Sequence, residues 1–174
     1  MSPMPPNAPA IIDIEASGFG RGSYPIEIGV ALPDGSSFCT LVRPAPDWTH
    51  WDDAAMKVHG IPRETVMAHG RDAHEVARML NERLRGLTVY SDAWYHDFAW
   101  LNVLYEEANS APNYKLDHLA RLLDEPTANL WNDTRAAIER EQQVTRHRAS
   151  ADARMLQLTW VRLCGVPEPK RAVG

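Results

Sequence analysis

The stretch Ile11–Gly18, with the sequence IIDIEASG, decides the fold that we expect for this chain. Its isoleucines alternate with acids in a period of two, which is typical of a β-strand. On a strand, Ile12 and Ile14 point into a core, whereas Asp13 and Glu15 project together from the other face, with side-chain origins roughly 6.5 Å apart. Carboxylates held so close beside a buried sheet repel each other. The pattern therefore indicates either a divalent-metal site or the solvated face of an amphipathic strand.

The composition is that of an ordinary globular protein. The chain has 174 residues, of which 44% are hydrophobic and 24% charged, so it can bury a sizeable core. A formal net charge of −5 argues against a protein that coats nucleic acid through its overall field, though not against an enzyme that grips a few nucleotides. No apolar run approaches the roughly 20 residues needed to cross a bilayer, so we expect no membrane contact.

The two ends of the chain differ from its middle. Residues 1–9 are rich in proline and have neither the basic nor the apolar segment of a signal peptide. We expect a flexible lead-in over residues 1–9, a single domain over 10–165 and a short tail over 166–174. The protein is expected to be cytoplasmic.

A β-meander is predicted at the start of the domain. Tyr24–Leu32 and Phe38–Val42 flank a proline-glycine turn and are predicted to be the second and third strands. Leu87–Tyr90 predicts a fourth strand, which is reached through a helix from Asp72 and is therefore parallel to a neighbour. The other elements expected are a helix over 52–58, a helix from His96, a brief strand and helix over 114–123, and helices over 131–144 and after 148.

A third candidate acid, Asp97, opens the predicted helix that follows the fourth strand. It shares the apolar face of that helix with Leu101 and Leu104. The helix dipole favours an acid in the first turn, but a carboxylate on an apolar face is expensive to desolvate unless it is paired. A metal ligand and a structural cap both explain this position.

His147 and Asp152 lie at the start of the last predicted helix. They are five residues apart, about 140° around an ideal helix, so one regular helix would not bring them to one point. If His147 lies in the preceding loop and Ser150 caps the helix, both side chains can face the same cleft.

Other charged residues have two interpretations. Arg146, Arg148 and Arg154 could hold phosphate through their planar guanidinium groups, or they could form a solvated helix face. Glu27, the lone acid of the second strand, is expected at the surface or in a local ion pair.

In combination, these motifs resemble the DnaQ-like, or DEDDh, 3′-to-5′ exonuclease superfamily over about residues 10–164. That family has Asp-x-Glu on its first strand, an Asp opening a central helix, and His-x-Ala-x-x-Asp leading the last helix. Here they are Asp13-Ile14-Glu15, Asp97 followed by Leu101, and the segment HRASAD at 147–152. The resemblance implies an α/β, ribonuclease H-like fold. Its central mixed five-stranded sheet combines an antiparallel β-meander with parallel strands and is flanked by helices.

The chain departs from the family pattern at two of these motifs. The first motif continues as Ala16-Ser17-Gly18, where the family commonly has Thr-Gly, and this change concerns substrate contacts rather than metal binding. The second motif is one residue longer than usual, so Asp92 remains the alternative to Asp97.

The resemblance implies hydrolysis of phosphodiester bonds with two divalent metal ions, Mg²⁺ or Mn²⁺. The ligands it implies are the oxygens of four acids, a donor type that suits these hard cations: Asp13, Glu15, Asp97 and Asp152. His147 is then the general base that takes a proton from the attacking water. The expected substrate is single-stranded RNA or DNA, in particular short oligonucleotides, and the expected products are nucleoside 5′-monophosphates.

The resemblance also implies a wall around the 3′-terminal nucleotide, and three aromatic side chains offer stacking surfaces for bases. The residues expected to bind substrate are Ala16, Ser17, Gly18, Phe19, His59, Ile61, Trp94 and Tyr95. Trp100 and Trp160 are expected in the core.

Two other functions fit the same sequence: a non-catalytic nucleic-acid-binding module with this fold, and a dinucleotide phosphodiesterase. The resemblance also allows a homodimer, and the segment 48–51 could be an interface or a loop that covers the core.

Overall fold

The computed structural model describes residue 5 and residues 7–142 and 148–165. Its strands form one five-stranded sheet in the order β3-β2-β1-β4-β5. The strands are β1 Ala10–Ala16, β2 Pro25–Ala31, β3 Ser37–Leu41, β4 Thr88–Ser91 and β5 Lys115–His118. The helices are α1 Asp53–His59, α2 Arg63–His69, α3 Ala73–Arg83, α4 Trp94–Glu107, α5 Glu125–Gln142 and α6 Ala149–Cys164, with a 3₁₀ helix at Leu119–Leu122.

The sheet is mixed, as predicted. Strands β1, β2 and β3 form an antiparallel meander. Strand β4 pairs in parallel with both β1 and β5. Along the chain, helices α1, α2 and α3 connect β3 to β4, and helix α4 connects β4 to β5. The predicted α/β fold, a five-stranded sheet with a meander and parallel strands flanked by helices, is therefore confirmed.

The alternation in β1 directs its side chains to two different layers. Ile12 and Ile14 are buried in the largest core cluster, together with Leu80 of α3 and Leu104 of α4. Ile11 faces the other way and is buried with residues of α6 and the 3₁₀ helix. Because Asp13 and Glu15 lie on the same face of the strand as Ile11, the two acids face the layer that contains α6.

Helix α6 approaches the sheet closely at Gly29 of β2. A Cβ atom at this position would lie 2.0 Å from the backbone nitrogen of Ser150. Gly29 pairs with Asp13 across the two strands. The glycine therefore lets the first turn of α6 lie directly on the sheet, beside the acids of β1.

Two helices differ from the sequence-based prediction. Helix α2 was not predicted, because Gly60 and Pro62 indicate a helix end. Helix α2 nevertheless begins at Arg63, directly after Pro62, which occupies its N-cap position in an extended conformation. Helix α5 begins at Glu125, six residues earlier than predicted, because Asp124 accepts a hydrogen bond from the Thr127 amide at 3.0 Å and caps it.

The segment with tryptophans before α1 covers the core. Trp48 stacks on the buried ring of Tyr24 with ring centroids 5.2 Å apart. Trp51 packs against the same buried cluster, which contains Tyr24, Ile26, Ile61 and Val66. In the part of the chain that the structure describes, no helix is long and apolar enough to cross a membrane.

Candidate functional site

Three carboxylates from distant parts of the chain meet on the α6 face of the sheet. Asp13 and Glu15 lie on β1, and Asp152 lies in the first turn of α6. An oxygen atom of each carboxylate lies within 4.8 Å of an oxygen atom of the other two. All three side chains are half-buried. We call these three residues the acidic cluster.

The acidic cluster lies where negative charge is disfavoured. Burial, together with the charges of Asp97, Glu15, Asp152 and Asp92, raises the pKa of Asp13 well above its usual range. Burial also raises the pKa of Glu15 to about 7, with further contributions from the charges of Asp152 and Glu27. A bound cation would reverse these shifts, and carboxylate oxygens are the ligands that Mg²⁺ and Mn²⁺ prefer. The residues present therefore fit a divalent metal ion.

Asp97 lies next to the acidic cluster, in the first turn of α4, and is only 1% exposed. The hydroxyl group of Ser91 at the end of β4 donates a hydrogen bond of 2.5 Å to Asp97 Oδ2. Burial raises the pKa of Asp97 to about 7, while the bond from Ser91 opposes this shift. The N-cap position of α4 is Ala93, so Asp97 does not occupy the cap position. Its charge acts on Asp13, but it does not belong to the group of three.

Asp92, the alternative to Asp97, is exposed at the rim of the site. Its Oδ2 atom lies 3.3 Å from Nη1 of Arg135 on α5. Asp97 is therefore the more deeply buried of the two candidates.

Of the other charged candidates, His147 and Arg146 lie outside the described residues. Glu27 is neither at the surface nor in a local ion pair, as had been expected. It is 1% exposed, and its ion-pair partner Arg148 lies 121 positions away in the sequence. The suggestion that Ser150 caps the last helix is wrong. Helix α6 begins at Ala149, and the amide of Ala149 donates to the Glu27 carboxylate.

A largely apolar pocket opens beside Glu15. Four of the predicted substrate-binding residues line it: Ala16, Gly18, Phe19 and His59. Two further residues, Ala55 and Val58, were not predicted; they line the pocket from one face of α1 and lie three residues apart. Trp100 is buried, as predicted, and also lines this pocket.

Ser17 and Ile61 are buried next to residues of the pocket wall but do not line the pocket. Ser17 is 1% exposed, and its hydroxyl group lies 3.1 Å from His50 Nδ1 and accepts a hydrogen bond from the Tyr24 amide. A Cβ atom at Gly18 would lie 2.6 Å from the ring of His50, so this turn requires glycine. Ile61 is buried in the cluster around Tyr24.

Exposed aromatic rings extend from the pocket along the start of α4. Phe19 is 66% exposed and contacts the ring of His96 edge-on at 5.1 Å. Tyr95 is 78% exposed and meets the ring of Trp94 at 5.0 Å. Phe98, which was not predicted, stacks on Trp94 at 5.2 Å. Such rings are suitable surfaces for stacking bases.

No family model matches the chain, and no curated protein matches it. Solved structures match in fold. Exonuclease I from Methylocaldum szegediense is 14% identical with a TM-score of 0.64, covering 88% of this chain and 40% of that one. Escherichia coli exonuclease I in complex with a dA16 oligonucleotide is 13% identical with a TM-score of 0.70, covering 90% and 41%. A zinc-bound complex of the E. coli enzyme with single-stranded DNA is 13% identical with a TM-score of 0.64, covering 88% and 40%.

At this level of identity the similarity shows a shared fold. The chain spans about 40% of the length of these exonucleases. The comparison agrees with the ribonuclease H-like fold that was expected from the sequence motifs.

Proposed function

We propose that the protein is a metal-dependent 3′-to-5′ exonuclease. It hydrolyses phosphodiester bonds of short single-stranded RNA or DNA and releases nucleoside 5′-monophosphates. The observation that carries this proposal is the acidic cluster, in which three carboxylates approach within 4.8 Å on a buried face of the sheet. The fold shared with exonuclease I, which has been solved with dA16 bound and with zinc and single-stranded DNA, supports it.

Asp13, Glu15 and Asp152 are the proposed ligands of two divalent ions, Mg²⁺ or Mn²⁺. Asp97, held by Ser91, would complete the ligand set from the side of α4. When bound, such ions acidify a water molecule and offset the charge that develops on the attacking and leaving oxygens.

We assign the proton transfer to His147, on the basis of its sequence position before Asp152. Its imidazole takes a proton from the water whose oxygen attacks phosphorus, a role that suits a group titrating near neutral pH. As the new P–O bond forms, the bond from phosphorus to the 3′ oxygen breaks. That oxygen is protonated and becomes the 3′ hydroxyl group of the shortened strand.

The pocket beside Glu15 is the proposed site of the terminal nucleotide. Ala16, Gly18, Phe19 and His59 form its walls, and Ser17 and Ile61 hold those walls in place. Trp94 and Tyr95 stack the bases that follow, and each such contact contributes about 1 to 3 kcal/mol without preference for sequence.

The test is incubation of the purified protein with 5′-labelled single-stranded RNA and DNA in the presence of Mn²⁺. We expect a ladder that shortens from the 3′ end, that disappears with EDTA and with His147→Ala, and that persists with His74→Ala. His74 is an exposed histidine on α3, so it controls for the loss of an imidazole.

A ladder that persists with EDTA or with His147→Ala would contradict the proposed mechanism. Cleavage of dinucleotides without shortening of longer strands would indicate a dinucleotide phosphodiesterase. Binding of strands without any turnover would indicate a non-catalytic binding module.

A further inference from the structure

Glu27 is a buried acid beside the proposed ligands that the exonuclease chemistry does not use. It is 1% exposed and lies directly across from Glu15 in the pairing of β1 with β2. A carboxylate at such a position is costly unless its charge and its lone pairs are satisfied.

The partners of Glu27 come from the start of α6. Arg148 Nε donates to both carboxylate oxygens, at 3.1 and 3.2 Å, and its Nη2 donates to Oε1 at 2.6 Å. The backbone amide of Ala149, the first residue of α6, donates to Oε2 at 3.0 Å. The same carboxylate therefore pairs with a guanidinium group and caps the helix N-terminus. We call these contacts the Glu27 clamp.

The clamp lies next to the closest contact between α6 and the sheet. Gly29, two residues along β2 and on the same face as Glu27, leaves no room for a Cβ atom against the backbone of Ala149 and Ser150. Asp152 belongs to the same helical turn. The distance from Asp152 to Asp13 and Glu15 therefore depends on how this turn lies on β2.

We infer that Glu27 is a positioning residue, which fixes the first turn of α6 through Arg148 and the Ala149 amide and so holds Asp152 at the acidic cluster. This inference rests on the proposed function, in which Asp152 is a metal ligand. The carboxylate cannot be replaced by a local cap on α6, because the N-cap residue Arg148 provides no side-chain cap to its own helix.

The test compares Glu27→Gln with the wild type in the full chain. Glutamine keeps the shape and one acceptor but loses the charge that binds the guanidinium group. We expect Mn²⁺ affinity, measured by calorimetry, to fall at least about 10-fold, as is typical when a residue that orients a ligand is lost. We also expect faster hydrogen exchange of the amides of residues 149–152.

Glu141→Gln is the matched control. Glu141 forms an equally close pair with Arg162 of α6, at 2.6 and 2.9 Å, but this pair is exposed and lies towards the other end of the helix. We expect this variant to keep the Mn²⁺ affinity of the wild type.

Variants of Arg148 provide a second, independent arm. The Arg148 side chain is 49% exposed, so its replacement leaves no large cavity. If Glu27→Gln does not fold, the Arg148 variants still test whether the Glu27 clamp is needed for metal binding. Arg148→Gln should repeat the loss of Mn²⁺ affinity. Arg148→Lys keeps the charge but not the forked geometry, so it should restore part of that affinity.

Wild-type Mn²⁺ affinity in both Glu27→Gln and Arg148→Gln would overturn the inference, even if both variants melt earlier, because the clamp would then be purely structural. A wild-type protein that binds Mn²⁺ but shortens no strand would overturn the proposed exonuclease, while the affinities of the variants would still decide the role of the clamp. A wild type that binds no Mn²⁺ would overturn both.

Discussion

Asp13 occupies a position in which several other carboxylates act on it. Burial and the charges of Asp97, Glu15 and Asp152 all oppose its ionisation, so the metal-free fold is strained at this residue. A residue that is needed for metal binding but destabilises the metal-free protein is typical of a functional site.

We therefore expect Asp13→Asn to have opposite effects on activity and stability. Exonuclease activity should fall more than about 100-fold, because loss of a ligand costs more than the 10- to 100-fold typical of an outer-shell partner. The melting temperature in EDTA should stay the same or rise, since repulsion within the cluster is relieved. The exposed Asp133 provides the control, and Asp133→Asn should change neither quantity. A strongly lowered melting temperature for Asp13→Asn in EDTA would instead assign the residue a structural role.

The same acids give the metal-free protein a predictable dependence on pH. Glu15 and Asp97 have folded-state pKa values of about 7, raised from 4.5 and 3.8 by burial above all. Between about pH 4 and 7 the folded state therefore holds more protons than the unfolded state, so the free energy of unfolding falls as pH rises through this window. We expect a lower melting temperature in EDTA at pH 8 than at pH 5. The double variant Glu15→Gln/Asp97→Asn should show a smaller difference between the two pH values. An equal or larger difference would contradict the assignment of this pH dependence to Glu15 and Asp97.

At the residue scale, the sequence predicted the acids better than their partners. The alternation in β1 placed Asp13 and Glu15 on one face, and the helix pattern placed Asp97 among apolar side chains; the structure agrees with both. The contact between Glu27 and Arg148 could not be predicted, because these residues are 121 positions apart and neither lies in a local pattern that indicates the other.

At the scale of elements, Gly29 determines how α6 lies on β2. A Cβ atom there would lie 2.0 and 2.1 Å from backbone atoms of Ser150 and Ala149, which no change of side-chain rotamer can relieve. We expect Gly29→Ala to lower the free energy of unfolding by about 1 to 3 kcal/mol or more and to weaken Mn²⁺ binding. Chemical denaturation and calorimetry measure these two quantities.

Gly86→Ala is the comparison for that variant. Gly86 has a φ of 73° but open space around a Cβ atom, so alanine there brings only backbone strain, about 1 kcal/mol. Mn²⁺ affinity should remain at the wild-type value. If Gly29→Ala also kept that affinity, the close approach of α6 would not determine the site.

Elements with a clear local pattern were predicted, whereas the cap of α6, which depends on a distant contact, was not. The strands of the meander and helix α3 have local signals: alternation, a turn, and the Asp72 side chain that accepts from the Glu75 amide. The N-terminus of helix α6 is instead capped by the carboxylate of Glu27 on β2. The local cap that was predicted, Ser150, therefore lies inside the helix and not at its N-cap position.

For the whole molecule, metal binding should stabilise the fold. Ions that bind the folded chain and not the unfolded one add about 2.7 kcal/mol at 100 times the dissociation constant. We expect Mn²⁺ to raise the melting temperature in a concentration-dependent manner, to do so more at pH 8 than at pH 5, and EDTA to reverse the change. A melting temperature that is independent of Mn²⁺ would contradict a metal site in the acidic cluster.

The overall architecture was accessible from the sequence because the order of its strands and helices restricts the possible topologies. A meander followed by strands that are reached through helices predicts a mixed sheet, and the structure has that sheet. The homodimer that the resemblance allows is not tested by the structure. The packing of Trp48 on Tyr24 supports the interpretation of residues 48–51 as a loop that covers the core.

The long separation in sequence between β2 and the start of α6 also has a kinetic consequence. Contacts between residues 121 positions apart require a large loop to close, so they form after the local hairpins and helices. On the ribosome, the meander can assemble while α6 has not yet been synthesised, and the emerging chain then has Asp13 and Glu15 without Asp152. A partly made chain therefore lacks the third acid of the cluster until α6 has emerged and docked.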